Sequence, residues 1–183
     1  MPKDASSGNA VRLVLTVALC LCANASIGAQ TPAGETLQTP DGLVRETYDI
    51  VTFEAGTTPD WDNVRSMFID DAVIVLRTSK DSTTVFSVDG FVDDFVAFIE
   101  RADAERTGFT ENIIRMESTE FGDMAHVLVL YEASIPGSER PPQQGVDSFQ
   151  LIKKADRWWI VSITNEIPTE HRPIPAILRE RRS

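Results

Sequence analysis

Asp147 and Tyr131 are the residues whose types and positions best suit acid–base chemistry in this chain. A carboxylate taken out of water has its pKa raised into the range of a useful base, and a tyrosine hydroxyl can hold an enolate-like oxyanion. Strand alternation places both on one sheet face, toward one end, with Asn112, Thr164 and Glu166, and Tyr48 reaches them from the first helix. Phe149, Trp158 and Ser162 share that face, so these residues together make the candidate lining of a ligand site. The competing reading is structural: tyrosines and aspartates at strand ends commonly satisfy the backbone or one another at a rim.

Other chemistries find less support. The only histidines are His126 and His171, and both cysteines, Cys20 and Cys22, lie in the apolar N-terminal stretch, so no metal-ligand cluster is visible. No phosphate loop and no nucleophile elbow occurs, and no cofactor is implied. His126 has a suitable intrinsic pKa. In the expected register, however, it lies opposite Thr119 on the outer face, roughly 15 Å along the strand from Asp147. It reads as a surface or interface histidine. The vicinal Trp158 and Trp159 read as one core and one interface residue, and Asp70 and Asp71 as caps of the turn into the first strand.

The elements that must position these residues follow from periodicity and punctuation. Thr39, Pro40 and Asp41 are helix-start signals, and Leu43, Val44, Thr47, Tyr48, Ile50 and Val51 recur at helical spacing until Gly56. Pro59 and Asp60 open a short second helix through Trp61, Val64, Met67 and Phe68. Residues 72–77 and 83–87 read as a strand pair. Phe91, Phe95, Phe98 and Ile99 define a third helix from Val88 to about Arg106. Four strands follow, at 109–121, 124–135, 146–154 and 157–166.

Turn chemistry then sets the register. Gly122 with Asp123, and Ala155 with Asp156, suit two-residue hairpins. These pair Ile114 with Tyr131, Met116 with Val129, Phe149 with Ser162 and Leu151 with Ile160, and the two hairpins are expected to join with Tyr131 beside Phe149. The outer face then carries Leu128, Leu130, Ile152, Trp159, Val161 and Ile163, among Arg115, Glu117 and His126. It is too apolar for plain solvent, which implies a homodimer through this face.

The N-terminus has the layout of a secretory signal peptide, with basic Lys3 and Arg12, an apolar stretch from Leu13 and small residues before Gln30. That stretch is too short to stay in a bilayer as a spanning helix, so no stable membrane anchor is expected. Cleavage after Ala29 is favoured over cleavage after Ala25. The lipoprotein alternative lacks a small residue before either cysteine, since Leu19 and Leu21 occupy those places. Residues 30–38 read as a disordered leader, 39–167 as the domain, and 168–183 as a Pro-rich, basic tail. Losing Lys3, Asp4 and Arg12 from 17 basic and 28 acidic residues leaves a net charge of −12. Such a surface repels phosphate backbones, and no nucleic acid is expected as partner.

The order of elements resembles the NTF2-like cone, and particular segments carry the resemblance. Residues 61–72 (WDNVRSMFIDDA) look like the family's short-helix motif, where an aromatic residue and an Asp-Ala pair lead into the first strand. Residues 148–163 (SFQLIKKADRWWIVSI) look like its closing hairpin. The likeness spans roughly residues 41–166 and is strongest to the SnoaL-like and exported members. It implies an α+β fold, with three N-terminal helices packed on a curved, mostly antiparallel sheet. The family holds isomerases, dehydratases, hydrolases, cyclases and non-catalytic binders, so fold does not supply function. In the ketosteroid isomerase branch the general-base Asp stands four residues after the Asp-Ala alanine, and here that position is Leu76. Two expectations follow: a periplasmic or secreted domain that binds a small apolar molecule in its cone, or a cofactor-independent isomerase, dehydratase or cyclase with Asp147 as base and Tyr131 as acid.

Overall fold

Thr39 caps the first helix through its side chain, which accepts the Gly42 N–H, and Pro40 fills the first helical position where its missing N–H costs nothing. A computed structural model describes residues 36–79 and 81–179 of the chain. The signal peptide, residues 30–35 of the leader and residues 180–183 of the tail lie outside the described residues. Helix α1 (Pro40–Val51) buries Leu43, Val44, Tyr48 and Val51 along one face. Sealing a residue such as Leu43 from water contributes roughly 1.5–3 kcal/mol. Asp60 caps α2 (Trp61–Arg65), which is shorter than expected. Phe68 is already strand, because the Met67 carbonyl accepts the Ile160 N–H and Phe68 pairs with Ile160.

Strand β1 (Phe68–Ser79) pairs with β2 (Ser82–Phe86), and α3 (Val88–Ala102) and α4 (Ala104–Thr107) follow. The expected continuous third helix is broken at Asp103, which adopts a left-handed conformation with φ 52° and binds Arg106 Nε at 2.6 Å. Strands β3 (Thr110–Phe121), β4 (Met124–Ser134), β5 (Gln143–Lys154) and β6 (Arg157–Glu166) complete a six-stranded sheet in the order β2-β1-β6-β5-β4-β3. Only the β1–β6 pair is parallel. Asp70 and Asp71 are exposed strand residues at a register shift in β1, not caps.

Both two-residue hairpins form as expected, with Phe121 opposite Met124 and Lys154 opposite Arg157. The registers beyond them contain two β-bulges. In β3 the extra residue is Ile114: Met116 still faces Val129, but Tyr131 is opposite Ile113, and Ile114 is left 49% exposed. In β6 the shift falls between Gln150 and Leu151 of the partner strand, so Leu151 still faces Ile160 while Phe149 is opposite Ile163 in place of Ser162. Since strand side chains alternate, one inserted residue exchanges the faces of everything beyond it. The join between hairpins also differs: Tyr131 lies opposite Gly145, and Phe149 opposite Val127. That offset is four residues, an even number, so Tyr131, Asp147 and Phe149 keep a common face.

Gly145 explains the join. A Cβ there would overlap the Cζ and hydroxyl of Tyr131, so the ring occupies space that only glycine leaves open.

On the outer face, Ile163 is absent, because the β6 bulge turns it into the core at 6% exposure. Leu130 is buried, Leu128, Trp159 and Val161 are half-buried, and Ile152 is exposed. Trp159 donates its indole N–H to the Lys154 carbonyl at 3.1 Å and carries the Arg157 guanidinium 3.9 Å above its ring. The ends are tied down more than expected. The Leu37 carbonyl accepts the Trp158 N–H at 2.8 Å. A final helix α5 (Ala176–Arg179) buries Leu178 and touches β3. No described helix is long and apolar enough to cross a membrane.

Candidate functional site

A cavity of about 450 Å³ opens between the helices and the inner sheet face. Phe91, Phe95 and Phe98 of α3 line it with Phe109, and their rings meet edge to face at 5.5–5.9 Å. Aliphatic lining comes from Val51, Ile74, Leu76, Ile135, Ile163 and Ile167. Leu76 is part of this apolar wall.

Five polar side chains converge on this apolar space. Tyr48 of α1 donates its hydroxyl to Asp147 Oδ2 at 2.5 Å. Asn165 Nδ2 donates to Asp147 Oδ1 at 2.7 Å and to the Tyr131 hydroxyl at 3.0 Å. Asn165 is the bridge between Tyr131 and Asp147. Because Tyr131 accepts in that bond, its own O–H proton remains available to a cavity occupant. Glu111, the fifth, lines the same cavity, and its carboxyl makes no hydrogen bond among the described residues.

Burial acts on all of these groups. It pushes Asp147 up to about 6, against the opposing pull of the Tyr48 and Asn165 hydrogen bonds. Glu111 is pushed up to about 8, mainly by burial and secondarily by the negative charge of Asp147. Tyr48 and Tyr131 are raised by burial and by the adjoining carboxylates, so both stay neutral donors. At neutral pH one carboxyl is an anion and its neighbour an acid. Two acids driven apart in this way divide the roles of base and acid between them.

Of the residues expected to line the site, Tyr48, Tyr131, Asp147 and Phe149 do so. Asn112, Ser162, Thr164 and Glu166 do not, because the two bulges invert their parity. Glu111 replaces Asn112, and Ile163 and Asn165 replace Ser162 and Thr164. Asn112 and Thr164 are exposed. Glu166 instead grips the guanidinium of Arg77 through that residue's Nε and Nη2. Trp158 is a core residue, 2% exposed, away from the cavity lining. His126 bonds Ser148 on the outer face at 2.9 Å through Nε2. The helical spacing of Phe91, Phe95 and Phe98 was a legible sign of an aromatic wall. No sequence signal marked Glu111 or Asn165. Among the described residues, no group of three His, Cys, Asp or Glu side chains could hold a metal.

No family model matches the chain, and no curated protein matches it. Solved structures do. An NTF2-like protein with a cystatin-like fold from Novosphingobium aromaticivorans superimposes with a TM-score of 0.56 at 13% identity, covering 75% of this chain and 82% of its own. An NTF2-like protein from Pseudomonas putida gives 0.55 at 12% identity, covering 73% and 88%. A Novosphingobium aromaticivorans protein whose name proposes a scytalone dehydratase gives 0.52 at 11% identity, covering 69% and 80%. Identities this low speak to architecture alone, and with the curved sheet and its helices they establish that this chain has the NTF2-like fold.

Proposed function

We propose that the domain binds a small, largely apolar molecule in its cone. The observation that carries this reading is the cavity: about 450 Å³, walled by four phenylalanines, with a few polar groups converging in it. Ligand sites have this composition and size.

A second reading rests on a separate observation, the split carboxyl pair with Tyr131 as a free donor. In it the domain is a cofactor-independent isomerase, dehydratase or cyclase. Asp147 takes a proton next to a carbonyl, and Tyr131 stabilises the resulting oxyanion. The name borne by the 0.52 neighbour is compatible with such chemistry but adds little weight at 11% identity. The test is α-proton exchange of 2-tetralone in D₂O, followed by NMR. Wild type should accelerate exchange, with a rate that climbs as Asp147 ionises near pH 6 and falls as Glu111 ionises near pH 8. Asp147→Asn should lose about 10²–10⁴-fold. Exchange no faster than with Asp147→Asn at any pH removes the enzyme reading and leaves the binding one.

The domain is also proposed to act outside the cytoplasm as a homodimer, on the strength of the N-terminal pattern and the apolar outer-face residues Leu128, Leu130, Ile152, Trp159 and Val161. Protein recovered from the exporting host should have an intact mass beginning at Gln30 and should sediment as a dimer at tens of micromolar. A mass that retains residues 1–29 or carries a lipid on Cys20 or Cys22 defeats the first claim. A monomer defeats the second and points to α5 and its approach as the cover of that face.

A further inference from the structure

The acidic chain opens its cavity at a basic rim. Ser138, Arg140, Pro141 and Gln143 both line the cavity and are exposed, which puts the mouth beside the β4–β5 connection. Arg140 forms no ion pair among the described residues. Arg77, across the cavity lining, is held rigidly: Glu166 takes its Nε and Nη2, and Arg172 Nη1 reaches the same carboxylate at 3.2 Å. Arg77 Nη1 is left without a partner among the described residues. Arg77, Arg172 and Arg140 stand against Glu166 and Asp81, whose charge also acts on Arg77, which leaves one net positive charge among them. Of these groups Arg77 and Arg140 line the cavity, whereas Arg172, Glu166 and Asp81 do not, nor do Glu132, Glu139 and Glu170. In a chain of net charge −11, such a rim is a local reversal of sign.

We propose that this mouth takes the carboxylate of an aromatic acid, on Arg140 and the unoccupied Nη1 of Arg77, while the ring system lies along Phe91, Phe95, Phe98 and Phe109. This deepens the cone-binding reading and rests on it. An anion at the rim meets donors that are always protonated, one of them already fixed in place, and charge-assisted bonds of this kind are the strong ones. The acid–base groups lie further in, where the neutral part of the same ligand would reach Tyr131. Attraction of an anion into a cavity that also holds Asp147 requires this separation, and Tyr48 and Asn165 occupy both carboxylate oxygens of Asp147.

The experiment is titration calorimetry on the whole mature protein at pH 7.5 with 2-naphthoate and its neutral isostere 2-naphthamide. Naphthoate is expected to bind about tenfold more tightly at low salt, with the advantage shrinking as salt is raised. Arg140→Gln should erase most of that advantage and leave naphthamide binding unchanged. Arg140 is exposed and outside the core, so this variant is expected to fold, and unaltered naphthamide binding checks that it has. Naphthamide binding as tightly as naphthoate, or a naphthoate preference that survives Arg140→Gln and Arg77→Lys alike, overturns the inference while the cone reading stands. Failure of both compounds to bind at millimolar concentration overturns the cone reading, and this inference with it.

Discussion

Glu111→Gln is expected to make the protein more stable at pH 8 and to change nothing near pH 4. In the unfolded chain Glu111 ionises at its ordinary 4.5, whereas burial in the folded chain holds its proton until about 8. A folded pKa raised above the unfolded one means that the native state binds more protons between those two values. Stability attached to Glu111 is therefore fully present below pH 4.5, is lost as the pH climbs to about 8, and is flat beyond. Each unit of such a shift corresponds to 1.36 kcal/mol. The loss across the window is on the order of a few kcal/mol, somewhat less if water enters the cavity. Glutamine copies the shape of the protonated acid and cannot ionise. Melting curves should show the variant ahead by roughly 5–10 °C at pH 8, given about 2–4 °C per kcal/mol for a domain of this size. Superimposable wild-type and variant curves at pH 8 would mean that Glu111 is ionised and solvated there, which would remove the acid from the proposed acid–base pair. A gain in stability from deleting a carboxyl is the mark of a group kept at a cost for something other than folding.

The placement of Glu111 also shows where sequence reasoning stops. The start and the buried face of helix α1 were legible, because Thr39, Pro40 and the Leu43–Val44–Tyr48–Val51 stripe each act locally, while its end at Val51 comes before the expected Gly56. Both hairpin turns were legible for the same reason. Asp147 and Tyr131 were gathered on the cone face because nothing interrupts the alternation between each and its own turn and because the join between their hairpins is displaced by an even number of residues, and Tyr48 meets them from its helix. Asn112, Thr164 and Glu166 were counted across Ile114 and Val161, and there the count failed. A bulge is decided by how two strands fit against helices and each other, and no single residue in β3 or β6 announces it. Both bulges fall between the turn and the site, and both bring a polar residue into the cavity wall: Glu111 on one strand, Asn165 on the other. Ile163 moved with them, which takes one apolar side chain from the expected dimer face and adds it to the cavity wall. In the described part of the Pro-rich, basic tail, the burial of Leu178 was not legible, because one leucine does not stand out against Pro173, Pro175 and the basic residues around it.

Gly145→Ala tests the join that no turn could specify. The backbone at Gly145 is ordinary extended strand, so alanine brings no conformational strain of its own there, and β-sheet favours it slightly over glycine. All of its cost comes from Tyr131, whose Cζ and hydroxyl occupy the space the methyl group needs. Tyr131 cannot swing aside freely. Its ring packs 5.7 Å from that of Tyr48, and its hydroxyl is held by Asn165. Overpacking of this kind costs typically 1–3 kcal/mol, so the melting temperature should fall by several degrees. Any Tyr131 displaced from the cone would also release Asn165 and weaken ligand binding beyond what the stability loss explains. Tyr131→Leu removes the obstacle, and Gly145→Ala added to it should then cost almost nothing, a coupling that a double-mutant cycle of melting curves measures directly. If the two substitutions prove additive, Gly145 is not the seat of the Tyr131 ring, and the β4–β5 register that sets Tyr131 opposite Gly145, two residues from Asp147, is wrong.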